Sequence, residues 1–195
     1  FEAAWSELYP GLIEWIGLSQ GGNLTEVDVA NKTLITDFES YKADVANVIP
    51  PQRAAQITST AGVADRTGWC PVDPITFESQ LMPNIHVIGD AAIAGAMPKA
   101  ASAASQEGKI CATAIAELLQ GKAPQPRELG SSCYSLIAPD FALAIGDKYR
   151  PTDGQFMEVE GNATSTPADA TADLHAQEAK SADAWFAATT RETFG

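Results

Sequence analysis

No stretch of this 195-residue chain leaves fewer structural options than Ile85-His86-Val87-Ile88-Gly89-Asp90-Ala91, with Met97-Pro98-Lys99 and an Ala-rich segment behind it. The nearly continuous apolar run over 84–88 predicts a central parallel strand, buried on both faces. Gly89-Asp90 then sets a carboxylate at the C-terminal edge of that sheet, where α/β folds bind ligands. Glycine lets a ligand approach the backbone closely, and the carboxylate can accept hydrogen bonds from sugar hydroxyls. Pro98 is expected to open a helix running to about Leu119 and ended by Gly121, since proline suits the first helical position. The start of such a helix offers amide N–H groups and partial positive charge to an electron-rich ligand. The plain alternative for Asp90 is a turn or helix-capping carboxylate.

Around this unit the pattern is mixed. Residues 1–10 read as the end of a helix stopped by Pro10-Gly11. Leu12–Ile16 is a strand candidate. Leu24–Asp28 and Thr33–Phe38 form a predicted hairpin across Ala30-Asn31-Lys32. Asp44–Ile49 is a further strand, closed by Pro50-Pro51, so that residues 12–49 resemble an antiparallel meander. Beyond Pro124, Ser131–Ile137 and Phe141–Ile145 are expected to pair in a small α+β subdomain. Residues 160–172 read as a polar linker, and a final helix is predicted from Ala172 to about Arg191.

A formal charge of −13 argues against nucleic-acid binding, which needs clustered Lys and Arg. The same charge can steer a basic partner; adaptation to a saline or alkaline habitat explains it equally well. No apolar run reaches the ~20 residues of a membrane span. The opening Phe1-Glu2-Ala3-Ala4-Trp5 reads as the interior of an amphipathic helix, not a leader, so the chain is expected to be a piece of something longer. Cys70, Cys111 and Cys133 are widely spaced with no C-x-x-C pair, which excludes a zinc ribbon or a local thioredoxin-type motif. No metal-ligand spacing occurs.

An apolar strand, Gly-Asp, then a helix resembles the second FAD fingerprint of two-dinucleotide-binding-domain flavoproteins. The resemblance narrows in Val48-Ile49-Pro50-Pro51-Gln52, Gly68-Trp69-Cys70-Pro71-Val72-Asp73, Gly95-Ala96-Met97-Pro98-Lys99, Cys133-Tyr134-Ser135 and Thr193-Phe194-Gly195. These are similar to the flavoprotein subunit of flavocytochrome c sulfide dehydrogenase, over nearly the whole chain but only that family's C-terminal half; the first fingerprint, G-x-G-x-x-G, is absent. The resemblance implies an α/β fold: part of a doubly wound, glutathione-reductase-like FAD-binding sheet, with an antiparallel meander and a small α+β C-terminal subdomain. Residues 1–45 would end the central nucleotide-binding-like domain, 46–123 would be the returning part of the FAD domain, and 124–195 the C-terminal subdomain.

It also implies FAD as cofactor, with Asp90 on the ribityl chain next to Gly89, and Met97, Pro98, Lys99 and Ala100 bringing the helix N-terminus to the flavin. Such a protein oxidises sulfide through a redox disulfide and passes electrons to haem in a c-type cytochrome subunit, in the periplasm. Cys133 fits the family's C-terminal redox cysteine, its partner coming from the N-terminal half, as does any covalent flavin attachment. Trp185 is the electron-transfer candidate; the bland reading is that Trp185 and Phe186 dock the last helix. Ser132 stands where the family often has Thr. Without the resemblance, Cys133 reads as a structural thiol; Cys70 and Cys111 read as structural in any case, and His86 as a hydrogen-bonded core residue. His175 with Glu178 is similar to the acid/base pair of disulfide reductases, but lies in a polar segment and is discounted. Two other readings stay open: a sulfide:quinone oxidoreductase, which calls for an apolar docking surface at odds with the acidic tail, and a non-catalytic interaction fragment.

Overall fold

The computed structural model describes residues 1–195, which divide into two compact units, Phe1–Gln52 and Arg53–Gly195. The architecture is mixed α/β. In the first unit, α1 (Glu2–Leu8) and α2 (Leu18–Gly21) precede an antiparallel sheet of β1 (Leu24–Asp28), β2 (Thr33–Thr36) and β3 (Ser40–Lys42) in sequence order. The β1–β2 hairpin is the expected one, with Asp28 opposite Thr33. The strands expected at Leu12–Ile16 and Asp44–Ile49 do not form. The third strand follows at once from a tight turn at 36–39, where the Thr36 N–H donates to the Glu39 carbonyl at 2.9 Å. The two apolar segments stay outside the sheet, and Leu12, Val45 and Ile49 are exposed.

The second unit contains α3 (Gln56–Thr60), β4 (Cys70–Pro71), a 3-10 turn at Gly89–Ala91, β5 (Ala92–Ile93) and α4 (Ala101–Leu119). Then come β6 (Leu129–Ala138), β7 (Phe141–Thr152), β8 (Gln155–Glu158), β9 (Thr164–Ser165) and α5 (Ala172–Phe194). Parallel pairing is confined to β4 and β5, with Cys70 opposite Ala92. Strands β6, β7 and β8 are antiparallel neighbours, and β9 adds to β7.

Three expectations change here. The run at 84–88 is not a parallel strand. It has no parallel neighbour and instead makes a short antiparallel contact with the loop before it: the Ser79 N–H donates to the Ile85 carbonyl at 2.7 Å and the Val87 N–H to the Phe77 carbonyl at 2.9 Å. Nor is it buried on both faces, since Ile85, His86 and Val87 are half-buried and Ile88 is exposed. Secondly, α4 starts at Ala101 with Ala100 as its N-cap, so Pro98 stands outside the helix. The Lys99 ammonium reaches back to the carbonyls of Asp90 and Ala92 while Ala100 stays extended, so the helix starts three residues later than expected. Thirdly, the polar stretch at 160–172 is not a plain linker. Thr166 donates its N–H to the Ala144 carbonyl at 2.9 Å, and its hydroxyl accepts the Ala144 N–H at 2.7 Å.

The core is built where α4 meets β6, β7 and β8, from Phe77, Met97, Ala103, Leu129, Tyr149 and Phe156 among others. Phe77 and Phe156 are fully buried and stack at 5.7 Å. Helix α4 closes with the Gly121 N–H on the Leu118 carbonyl and the Lys122 N–H on that of Glu117, both 2.9 Å, the paired bonds of a Schellman ending. Helix α5 begins at Thr171, whose side chain accepts the Leu174 N–H, an ordinary N-cap.

Candidate functional site

Gly89, Asp90, Met97, Pro98, Lys99 and Ala100 all line one water-sized hollow of about 10 Å³ at the start of α4. Local chemistry explains the convergence. Gly89 sits at φ +69°, the left-handed region that turns the chain sharply into Asp90. Gly95, at φ +62°, makes a second sharp turn in contact with β8, where the Ala96 N–H donates to the Phe156 carbonyl at 2.9 Å. Between these turns Lys99 folds back, bonding the Asp90 and Ala92 carbonyls and lying 4.0 Å over the Trp69 ring. A cation over an indole face is attractive, so the Trp69-Cys70-Pro71 segment is tied to the same place. Met97 is buried; Asp90, Pro98 and Lys99 are exposed. Because the 84–88 run is not a strand, the Asp90 carboxylate belongs to the 3-10 turn entering β5 and not to the end of a parallel strand.

Glu107 was not singled out from sequence. It sits in the second turn of α4, only 3% exposed, and its carboxylate accepts the Gly89 N–H. Burial pushes its carboxyl above the usual carboxylate range, against the opposing pull of the Gly89 amide and then of the Lys99 ammonium. A signal existed: Ala103, Glu107, Ile110, Cys111 and Ala114 form one buried stripe at helical spacing, so an acid there had to be buried.

The three cysteines are separated in kind. Cys70 and Cys111 are buried and Cys133 is exposed; none is paired. Burial pushes the thiols of Cys70 and Cys111 up, which keeps them protonated and poorly nucleophilic. Cys133, on β6 opposite Ile145, lines a cavity of about 370 Å³ with Ala101, Ser102, Tyr134, Trp185 and Phe186. Trp185 is half-buried there, and Phe186 is exposed. A second hollow of about 350 Å³ shares Ser102, Ser132, Tyr134 and Trp185 and reaches Gln106. The first turn of α4 therefore has Ala100 on the small hollow and Ala101 and Ser102 on the cysteine cavity.

The histidines have other partners. His86 Nδ1 lies 2.9 Å from the Thr76 carbonyl. His175 belongs to α5, with Nδ1 2.9 Å from the Ala142 carbonyl and its ring stacked on Phe141 at 3.8 Å. Glu178 accepts the Thr166 hydroxyl at 2.9 Å. The two side chains fasten α5 to β7 and the β9 segment, and do not form an acid/base pair.

The residues present suit a flavin dinucleotide as one wall of its site. They offer an exposed carboxylate for hydroxyls and a helix start whose first amides have no intrahelical partner and no side-chain cap. No helix is long and apolar enough to cross a membrane. Two family models match the chain. Residues 125–194 match the flavin-binding domain of flavocytochrome c sulphide dehydrogenase, and residues 1–50 match the central domain of the sulfide dehydrogenase (flavocytochrome c) flavoprotein chain.

Proposed function

The chain belongs to the flavocytochrome c sulfide dehydrogenase flavoprotein family, and from that premise we propose that it is the C-terminal part of a sulfide-oxidising enzyme working through a redox disulfide. At the coarser level it is a flavin-dependent oxidoreductase with FAD as cofactor and a cytochrome as partner. In the finer reading that partner is a c-type cytochrome, and the enzyme works in the periplasm. Residues 1–45 end a central domain, 46–123 return to a doubly wound FAD domain, and 124–195 form the C-terminal subdomain.

FAD, when bound, supplies a two-electron acceptor for sulfur that releases electrons singly to haem. The Asp90 carboxylate, beside Gly89, would accept hydrogen bonds from the ribityl hydroxyls. The amides at Lys99 and Ala100 favour negative charge at the end of α4 that they face, with Met97 and Pro98 shaping the approach. Cys133 supplies one sulfur of a disulfide whose other half lies outside these residues. Sulfide attacks this disulfide, the S–S bond breaks, and a persulfide forms on one sulfur while a thiolate leaves on the other. Trp185 lines the route from this cavity toward the cytochrome.

One observation carries the reading: among three cysteines only Cys133 is exposed, and it opens on the cavity walled by the first turn of α4. Cys133→Ser in the flavin-loaded enzyme is expected to abolish sulfide-dependent bleaching of the flavin while flavin content stays unchanged. Bleaching at the wild-type rate would remove Cys133 from the mechanism.

A further inference from the structure

Helix α4 and strand β6 are joined by two reciprocal clasps. The Ser102 hydroxyl donates to the Ser132 carbonyl at 2.8 Å and accepts the Ser132 N–H at 2.9 Å. One turn further, Gln106 Nε2 donates to the Gly130 carbonyl at 2.6 Å, and its Oε1 accepts the Gly130 N–H at 3.0 Å. Both pairs serve one edge of β6, whose other edge is taken by β7.

The match is geometric. Four helical residues rise about 6 Å, and two strand residues advance about 6.7 Å. Side chains four apart on a helix therefore meet strand residues two apart. Ser102 and Gln106 act as a surrogate strand, giving Gly130 and Ser132 the donors and acceptors that an edge strand lacks. Ser102 is itself buried, in the first turn of α4. Cys133 is the next residue after Ser132, and its own backbone faces β7 opposite Ile145.

We propose that Ser102 and Gln106 are positioning residues for Cys133, setting how far its sulfur stands from the amino end of α4. The inference rests on the reading of Cys133 as the redox cysteine. A clasp that merely stabilised the sheet would affect stability and leave turnover of the folded enzyme alone; a positioning clasp affects the limiting rate.

The test uses the intact flavin-loaded enzyme with Ser102→Ala, Gln106→Ala, the double variant, and Ser102→Thr, which keeps the hydroxyl beside an open cavity. Flavin bleaching by sulfide is followed by stopped flow across sulfide concentrations, and backbone exchange at Gly130 and Ser132 by deuterium labelling. The double variant is expected to lose limiting rate on the order of 100-fold, as a small misplacement of a reacting group does. Half-saturating sulfide and flavin content should hold, and exchange at both amides should accelerate. Ser102→Thr restores rate and protection. If the double variant loses flavin, the single variants decide on the same ratio, each expected to fall roughly tenfold. A wild-type limiting rate in the clasp variants, with Cys133→Ser inactive, overturns the proposal. A wild-type rate in Cys133→Ser instead overturns the reading beneath it.

Discussion

Replacing Gly95 by alanine tests whether the turn carrying Met97, Pro98 and Lys99 is held by contact with β8. A Cβ at position 95 would lie 2.4 Å from the Phe156 carbonyl oxygen and 3.0 Å from its nitrogen. Both are backbone atoms, so no side-chain rotation relieves the overlap. Strand β8 cannot simply retreat either, because Phe156 is fully buried and stacked on Phe77. The left-handed conformation costs a non-glycine residue about 1–2 kcal/mol. Overpacking adds about 1–3 kcal/mol, and the Ala96 N–H to Phe156 bond is worth about 0.5–1.5 kcal/mol. Together a loss of about 2.5–6.5 kcal/mol is expected. Gly89→Ala is the internal control. Its φ is similar at +69°, but the nearest atom to its Cβ is Ala104 Cβ at 3.6 Å, an ordinary contact, so only the conformational cost of about 1–2 kcal/mol applies. Urea unfolding with unchanged m-values reads the difference, flavin content being measured in parallel so that lost ligand stabilisation is not counted as strain. Gly95→Ala that is no less stable than Gly89→Ala would refute the argument from the Phe156 contact.

Two further outcomes follow from the small hollow. Glu107 has its folded pKa raised above 4.5 by burial, so its stabilising contribution is fully present below about pH 4.5 and lost as pH rises through the higher folded value. Glu107→Gln keeps an oxygen for the Gly89 N–H without ionising. Its melting temperature should exceed wild type at about pH 8 and match it near pH 4, and a difference independent of pH would contradict this. Asp90→Ala should weaken flavin retention by about tenfold or more, the scale of a hydrogen bond to a charged group. Flavin content is read together with melting temperature, since a covalent tether would hold flavin despite the lost bond; no change in either quantity removes Asp90 from the cofactor wall.

Local signals placed much of this chain from its residues alone. The β1–β2 hairpin, α4 with its ending at Gly121, the β6–β7 pair and α5 each arise from contacts between near neighbours in sequence, where turn chemistry and apolar periodicity suffice. The convergence of Gly89, Asp90 and residues 97–100 was legible for the same reason, since all lie within a dozen positions. The apolar run at 84–88 misleads because an apolar pattern fixes neither a segment's burial nor its backbone partners: here the partners are Phe77 and Ser79, no residue of the run is fully buried, and Ile88 is exposed. The polar segment at 160–172 failed in the opposite sense, because Thr166 meets Ala144 only after β7 is in place.

Residue types and local spacing thus settled which groups could carry chemistry: one glycine-acid turn, one helix start and three cysteines. Only the packed fold distinguished the exposed Cys133 from its two buried counterparts, brought Glu107 under Gly89, and set Ser102 and Gln106 against the edge of β6. Exposure and reciprocal hydrogen bonding depend on atoms contributed by distant segments, and a linear pattern carries no measure of those distances.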